Sequence, residues 1–243
     1  MSDFEAIILR SRDYKDQDKL LTFISAEQGK GLAIARGARK PSGSLRPVTQ
    51  PYCRARLSLS PPRDGVAFIE QGIALESYVS LDANLAAMTY AAYFAELTEL
   101  TAAAGRAAPE LYLLVLAAFS LLKLDSDHRR SARFFEVRLL AELGLLPPLD
   151  SCNNCGRKLN GGDFFLDAEA GGLYCGACVN SGAPRLSAGA AQTLRRLAEV
   201  ELPRLPQLKI NPAIGDELEQ ALSVYLRYHL DYTPKSAAFL RGL

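Results

Sequence analysis

The sequence predicts an α+β chain of several modules, and three observations carry that reading. Short β-type runs divided by Gly and Pro turns fill residues 1–80, Ala- and Leu-rich sequence with helical spacing follows, and two Cys-x2-Cys pairs interrupt the helical part. The expected architecture is an N-terminal five-stranded β-barrel (1–80), then an α-helical bundle (81–150 and 183–243) interrupted by a four-cysteine module (151–182).

The β-type runs are "FEAIILRS", "KLLTFIS", "GLAIAR", "YCRARLSLS" and "VAFIEQGIAL". Five short strands at this spacing form a small closed or nearly closed barrel. Glu27–Gly31 reads as a hairpin turn, and Pro61-Pro62 with Asp64-Gly65 marks another before the fifth run.

Leu81–Ala104, Pro109–Leu124 and Arg129–Leu143 carry apolar residues at helix spacing, with Gly105 and Gly144 as stops and Pro109 in a first helical turn. The stretch "LYLLVLAAFSLLKL" is apolar nearly all round and is expected at the centre of the bundle, being too short for the roughly 18–20 residues of a membrane span. Pro147-Pro148 ends the third helix. Two further helices are expected at Ser187–Val200, capped by Ser187, and at Pro212–His229, capped by Asn211.

Cys152-x2-Cys155-x19-Cys175-x2-Cys178 has the spacing of a four-thiolate zinc site. Gly156 and Gly176 each follow a cysteine where a knuckle turn needs freedom at φ, and "DFFLDAEAGGLY" can form a hairpin between the knuckles. Four thiolates close the tetrahedron, whereas a catalytic zinc keeps a position open, so one structural Zn2+ is expected. The alternative, a redox Cys-x2-Cys pair, explains two such pairs at this spacing less economically. The fifth cysteine, Cys53, lies in a strand and reads as core.

Catalysis is not expected. There is no GxxxxGK[ST] loop and no GxGxxG: "EQGKG" has the lysine but neither the spacing nor the following Ser or Thr. The two histidines, His128 and His229, fall on charged or aromatic helical surfaces and read as structural. Met1–Arg10 has no charged region followed by an apolar one, which with the paired cysteines gives the expectation of a cytoplasmic, non-membrane protein with reduced thiols.

With 28 basic and 27 acidic residues, net charge says nothing of a polyanionic partner, but its distribution does. From Lys30 to Arg63 there are eight basic residues, Lys30, Arg36, Arg39, Lys40, Arg46, Arg54, Arg56 and Arg63, and no acidic one. Arg54 and Arg56 alternate with Ala55 and Leu57, so both project from one face of a strand. Arg39, Lys40 and Arg46 lie in "GARKPSGSLRP", a loop able to drape along a phosphate backbone. A charge run is more often a solvated surface; the barrel beneath this one favours binding, because an OB-fold carries strands across one face with a basic groove and stacking aromatics. Tyr14, Tyr52 and Phe68 are the aromatics available, and each could equally be core.

These residues resemble the bacterial DNA repair and recombination mediator family RecO over nearly the whole chain. "FEAIILRSRDYKDQDKLLTFISAEQGKGLAIARGARK" looks like its N-terminal barrel, "CNNCGRKL" with "GLYCGAC" like its zinc module, and "KSAAFLRGL" like its C-terminal end. The resemblance implies an OB-fold, a helical domain and a zinc module. It implies binding of single- and double-stranded DNA, annealing of complementary strands, and help in loading recombinase onto strands coated by single-stranded DNA-binding protein, in a nucleoid-associated setting. The implied partners are RecR and the acidic, Phe-ended tail of the coating protein; the DNA-binding residues would be Lys30, Arg36, Arg39, Lys40, Arg46, Arg54 and Arg56. Where the family often has Gly-Glu after Tyr14, this chain has Lys15-Asp16.

Two other readings compete. A protein-only adaptor would use its helical bundle, beside basic residues, to hold acidic partner peptides. A zinc-stapled nucleic-acid enzyme would require a carboxylate cluster, which the sequence does not offer. Annealing itself needs no bond-making by the protein, only two strands brought together with their repulsion screened.

Overall fold

The computed structural model describes residues 3–62, 65–78, 85–158, 161–179 and 182–240. Arg63, Asp64 and the first four residues of the expected helix from Leu81 lie outside them. The chain forms two compact units, residues 1–126 with 234–243, and residues 127–233.

In the first unit β1 (Phe4–Tyr14), β2 (Asp18–Ser25), β3 (Gly29–Ala35), β4 (Cys53–Leu59) and β5 (Ala67–Ser77) close into a barrel of order β1-β2-β3-β5-β4. This is the order of an OB-fold, with β3–β5 the one parallel pairing and the others antiparallel. Alternation selects the interior: Ala6, Ile8, Leu21, Phe23, Ala33, Ala35, Cys53, Ala55, Leu57 and Ile69 fill it. The "EQGKG" turn is tighter than expected. The strand resumes at Gly29 (φ +61°), and Gly31 is a packing position, because a Cβ there would stand 2.2 Å from the ring of Phe23, its cross-strand partner.

Ile7, Leu9 and Ile24 on the outer face of the barrel are buried as well, with α1 (Leu85–Thr101) packed on β1 and α2 (Pro109–Leu124) on β2. Phe119 of α2 gathers the rings of Tyr52, Tyr78 and Phe94 at 5.5, 5.9 and 6.4 Å. The expectation that α2 is the centre of a bundle is therefore corrected: it covers the barrel, and its far side leaves Leu113 and Leu124 exposed. Helix α1 ends at Thr101 and not Ala104, because Ala103 and Ala104 turn to pair with the backbone of Lys30 and Gly29.

In the second unit α3 (His128–Glu142), α4 (Ala188–Glu199) and α5 (Pro212–Leu230) pack on one another and on a small sheet ordered β7-β6-β8, with β6 at Phe164–Asp167, β7 at Gly172–Cys175 and β8 at Arg185–Leu186. The expected caps form: Ser187 Oγ accepts from the Ala190 N–H and the Asn211 side chain from the Ala213 N–H. Asp127 caps α3 in the same way. His128, expected on a surface, is buried at the first turn of α3. Short elements that the sequence did not signal are 3-10 turns at Pro47–Thr49 and Leu202–Gln207, and α6 (Ala237–Leu240), which belongs to the first unit.

Candidate nucleic-acid interface and metal centre

The loop between β3 and β4 is built against the β1–β2 hairpin. The Gly37 N–H donates to Asp18, the Arg39 N–H donates to the Gln17 carbonyl, and the Arg39 guanidinium reaches the carbonyls of Lys15 and Asp16 and the carboxylate of Asp13. Arg39 is thus a brace for the loop as well as a charge on it. Lys40 and Arg46 are exposed and form no ion pair with the described residues. Lys30 points elsewhere: its Nζ donates to the Glu99 carbonyl at 2.6 Å, at the edge of a cleft of about 730 Å³ lined by Phe4, Phe23, Leu32 and Pro61.

Arg54 and Arg56 do share one outward face of β4, but that face is not free of acid. Glu5, the cross-strand partner of Arg56, accepts from Arg54 through Nε at 2.9 Å and through Nη2, and from Arg56 at 3.3 Å. The hydrogen bonds from Arg54, opposed by partial burial and reinforced by the positive charge, hold the Glu5 carboxyl below the usual range. The stretch from Lys30 to Arg63 lacks acids in sequence and acquires Glu5 in space through strand pairing.

The three aromatics have distinct fates. Tyr52 packs against Phe119, Lys15 Nζ stands 5.3 Å from the centre of the Tyr14 ring, and the Arg36 guanidinium lies over Phe68 at 3.8 Å. Arg10 and Arg12, which lie before Lys30 in the sequence, also project outward from the barrel, on β1. Their signal was the Arg-x-Arg alternation that marks Arg54 and Arg56, hidden by the acids of "RDYKDQD". Arg10 is paired with Glu99 at 3.0 Å.

In the second unit the four cysteines converge, with all four Sγ atoms within 4.8 Å of one another. The Cys155 and Cys175 sulfurs are 3.7 Å apart. A tetrahedron with metal–sulfur bonds of about 2.3 Å has edges of about 3.8 Å, so this spacing suits a bound ion and is far too long for a disulfide. One knuckle closes through the Gly156 N–H on the Cys152 carbonyl, the other through the Cys178 and Val179 N–H groups on the Cys175 carbonyl. Gly156 takes φ +71° as expected, whereas Gly176 is not among the positive-φ glycines, because the second turn leads from a strand and does not demand that conformation. The expected hairpin is present as β6–β7, turned at Gly171.

The chemistry of the set fits a cation. Burial opposes ionisation of Cys152, yet N–H groups of Cys155, Cys175 and Asn154 more than offset it and bring the thiol down to about 6. The Asn154 side chain favours the Cys178 thiolate, but hydrogen bonds shared with Cys155 and Cys175 outweigh it and push that thiol up to about 12. Such a cluster ionises one member at the others' expense until a positive ion stabilises all four. Cys53 stands apart in the barrel interior, where burial pushes its thiol up to about 11.

Residues 1–78 match the model of the recombination protein O N terminal and residues 83–238 that of the recombination protein O C terminal. The chain belongs to the recombination protein O family. It is 36% identical to the DNA repair protein RecO of Desulforudis audaxviator over 98% of this chain and 96% of that protein. The RecO of Pelotomaculum thermopropionicum is 34% identical (97% and 92% covered) and that of Bacillus pumilus 30% identical (98% and 93% covered). The RecO family acts in DNA repair, and here it carries an OB-fold barrel and a four-cysteine cluster positioned to hold a metal ion. No helix among the described residues is long and apolar enough to cross a membrane.

Proposed function

We propose that this chain is a recombination mediator that binds single- and double-stranded DNA, anneals complementary strands and helps load recombinase onto strands coated by single-stranded DNA-binding protein. It acts without bond-making chemistry of its own and works with RecR and the acidic tail of the coating protein, in the cytoplasm at the nucleoid. The observation that carries the reading is a braced loop on a five-stranded OB barrel that holds Lys40 and Arg46 out to solvent without acidic partners, beside Arg36, Arg39 and Arg56. Each phosphate that such a surface neutralises releases counterions, which draws two strands to one protein and screens their repulsion. Lys30 and Arg54 contribute to the same positive field, though each is tied to a protein partner.

Cys152, Cys155, Cys175 and Cys178 would hold one Zn2+ in a closed tetrahedron, which supplies a structural staple and no reactive position. The test is the annealing rate of complementary oligonucleotides with the wild type and with Lys40, Arg46 and Arg56 all replaced by Ala. The triple variant is expected to anneal at least tenfold more slowly. Its slope of log affinity against log salt on a single strand is expected to fall by about two, given about 0.7 per lost phosphate contact. A wild type that neither binds nor anneals strands would sink the reading.

A further inference from the structure

The outer face of the barrel at β1, β2, β3 and β5 is a continuous platform. Strand register places Arg12, Leu20, Ile34 and Phe68 in one row across four strands, with Arg10, Thr22 and Leu32 in the next. Their neighbours along the strands, Leu21, Ala33 and Ile69, point into the core, so these side chains point out. Neither α1 nor α2 buries the whole face: Leu32 remains 37% exposed, and Arg12 and Arg36 are exposed. Over the end of the row Arg36 lays its guanidinium on the Phe68 ring at 3.8 Å. Phe68 is itself fixed by hydrogen bonds in both directions with Ser60, its N–H donating to Ser60 Oγ and its carbonyl accepting the Ser60 N–H.

A guanidinium seated 3.8 Å over an aromatic ring on an exposed residue has its other face available as a charged plane. Planar groups of this kind stack on nucleobases and need no particular base, since every base has a π-face. A lysine at the same position would keep the charge and offer no plane. Of the rest of the row, Leu20 is half-buried and Ile34 buried, and Arg12 stands as a further cation at the opposite end. Arg10 is partly engaged with Glu99.

We propose that the Arg36–Phe68 stack is a nucleobase-binding site, so that Arg36 contacts a base of a single strand and is not simply one more phosphate contact. This rests on the reading of the chain as a single-strand binder and adds to it the chemical group recognised at one position. The occupant is an unpaired base, because in a duplex both faces of each base are already stacked.

The experiment compares binding of a thymidine 20-mer with that of an abasic strand of the same length and charge, by fluorescence anisotropy, for the wild type, Arg36→Lys and Phe68→Leu. The wild type is expected to bind the base-bearing strand roughly tenfold more tightly. Arg36→Lys should lose most of that preference, its affinity falling far more for the base-bearing strand than for the abasic one, and Phe68→Leu should lose it while keeping Arg36. The proposal is overturned if the wild type binds both strands equally, if Arg36→Lys keeps the preference, or if it weakens both strands by the same factor. A wild type that binds neither strand would instead overturn the single-strand reading on which the proposal rests.

Discussion

Arg54 donates from both Nε and Nη2 to a single carboxylate oxygen of Glu5, across the β1–β4 ladder of the barrel. Glu5 therefore acts as a built-in counter-ion for the arginine pair on β4. Its folded-state pKa is depressed, so its stabilising contribution is present above the unfolded carboxylate pKa of about 4.3 and is lost as pH falls through the lower folded value. Both side chains are about a third exposed, which limits the effect. Glu5→Gln is expected to cost at most about 1 kcal/mol at pH 7 by urea denaturation. The gap to wild type should narrow as the pH is lowered below the unfolded carboxylate pKa, and a gap that stays constant through that fall would point to packing in place of charge. If strands do bind this face, the same variant binds them more tightly, because phosphate no longer competes with Glu5.

The cysteine geometry leads to a count of thiols. The purified protein is expected to hold one metal ion per chain by elemental analysis, with zinc as its identity. In the folded, anaerobic protein, a chelator should expose four thiols to a colorimetric thiol reagent, those of Cys152, Cys155, Cys175 and Cys178. The fifth, Cys53, is buried in the barrel with its thiol pushed up to about 11, and should react only after denaturant is added. Five reactive thiols without denaturant would mean that metal removal loosens the barrel as well.

How far the sequence reveals this structure depends on whether a signal is local. The caps Ser187 and Asn211, the first turn at Pro109 and the paired cysteines are set by neighbours in the chain, and each is found where the sequence places it. What escapes is set by pairing between distant residues. Nothing near Arg54 announces that β1 will bring Glu5 against it, and nothing in "LYLLVLAAFSLLKL" distinguishes a helix at the centre of a bundle from one laid on a barrel. Gly31 looks like a turn glycine until strand register puts the Phe23 ring over it. The basic surface was only half legible for the same reason, since Arg12 joins it through the β1–β2 register.

The β1–β2 turn offers a test of backbone strain. Lys15 adopts φ +50°, in the left-handed region where a side chain costs about 1–2 kcal/mol. Lys15→Gly should therefore be more stable than Lys15→Ala by about 1 kcal/mol in thermal or urea unfolding, both variants lacking the charge and its contact with Tyr14. Equal stabilities would show that the turn relaxes out of the left-handed conformation.

The C-terminal segment hangs on one carboxylate. Glu96 of α1 accepts from the N–H groups of Lys235 and Ser236 at 2.9 and 3.0 Å and from Ser236 Oγ at 2.7 Å, so it satisfies the donors that lead into α6. Among the described residues of that segment, Phe239 is 71% exposed and no residue of α6 is buried. Removing the acceptor should release the segment without unfolding the unit, at a local cost of about 1–3 kcal/mol. In Glu96→Ala, trypsin is expected to cut after Lys235 roughly ten to a hundred times faster than in wild type, and amide exchange at Lys235 and Ser236 should accelerate by a similar factor, with little change in Tm. Unchanged cleavage would mean that the apolar side of the segment holds it. A large drop in Tm would mean that Glu96 stabilises α1 itself and not only the segment packed on it.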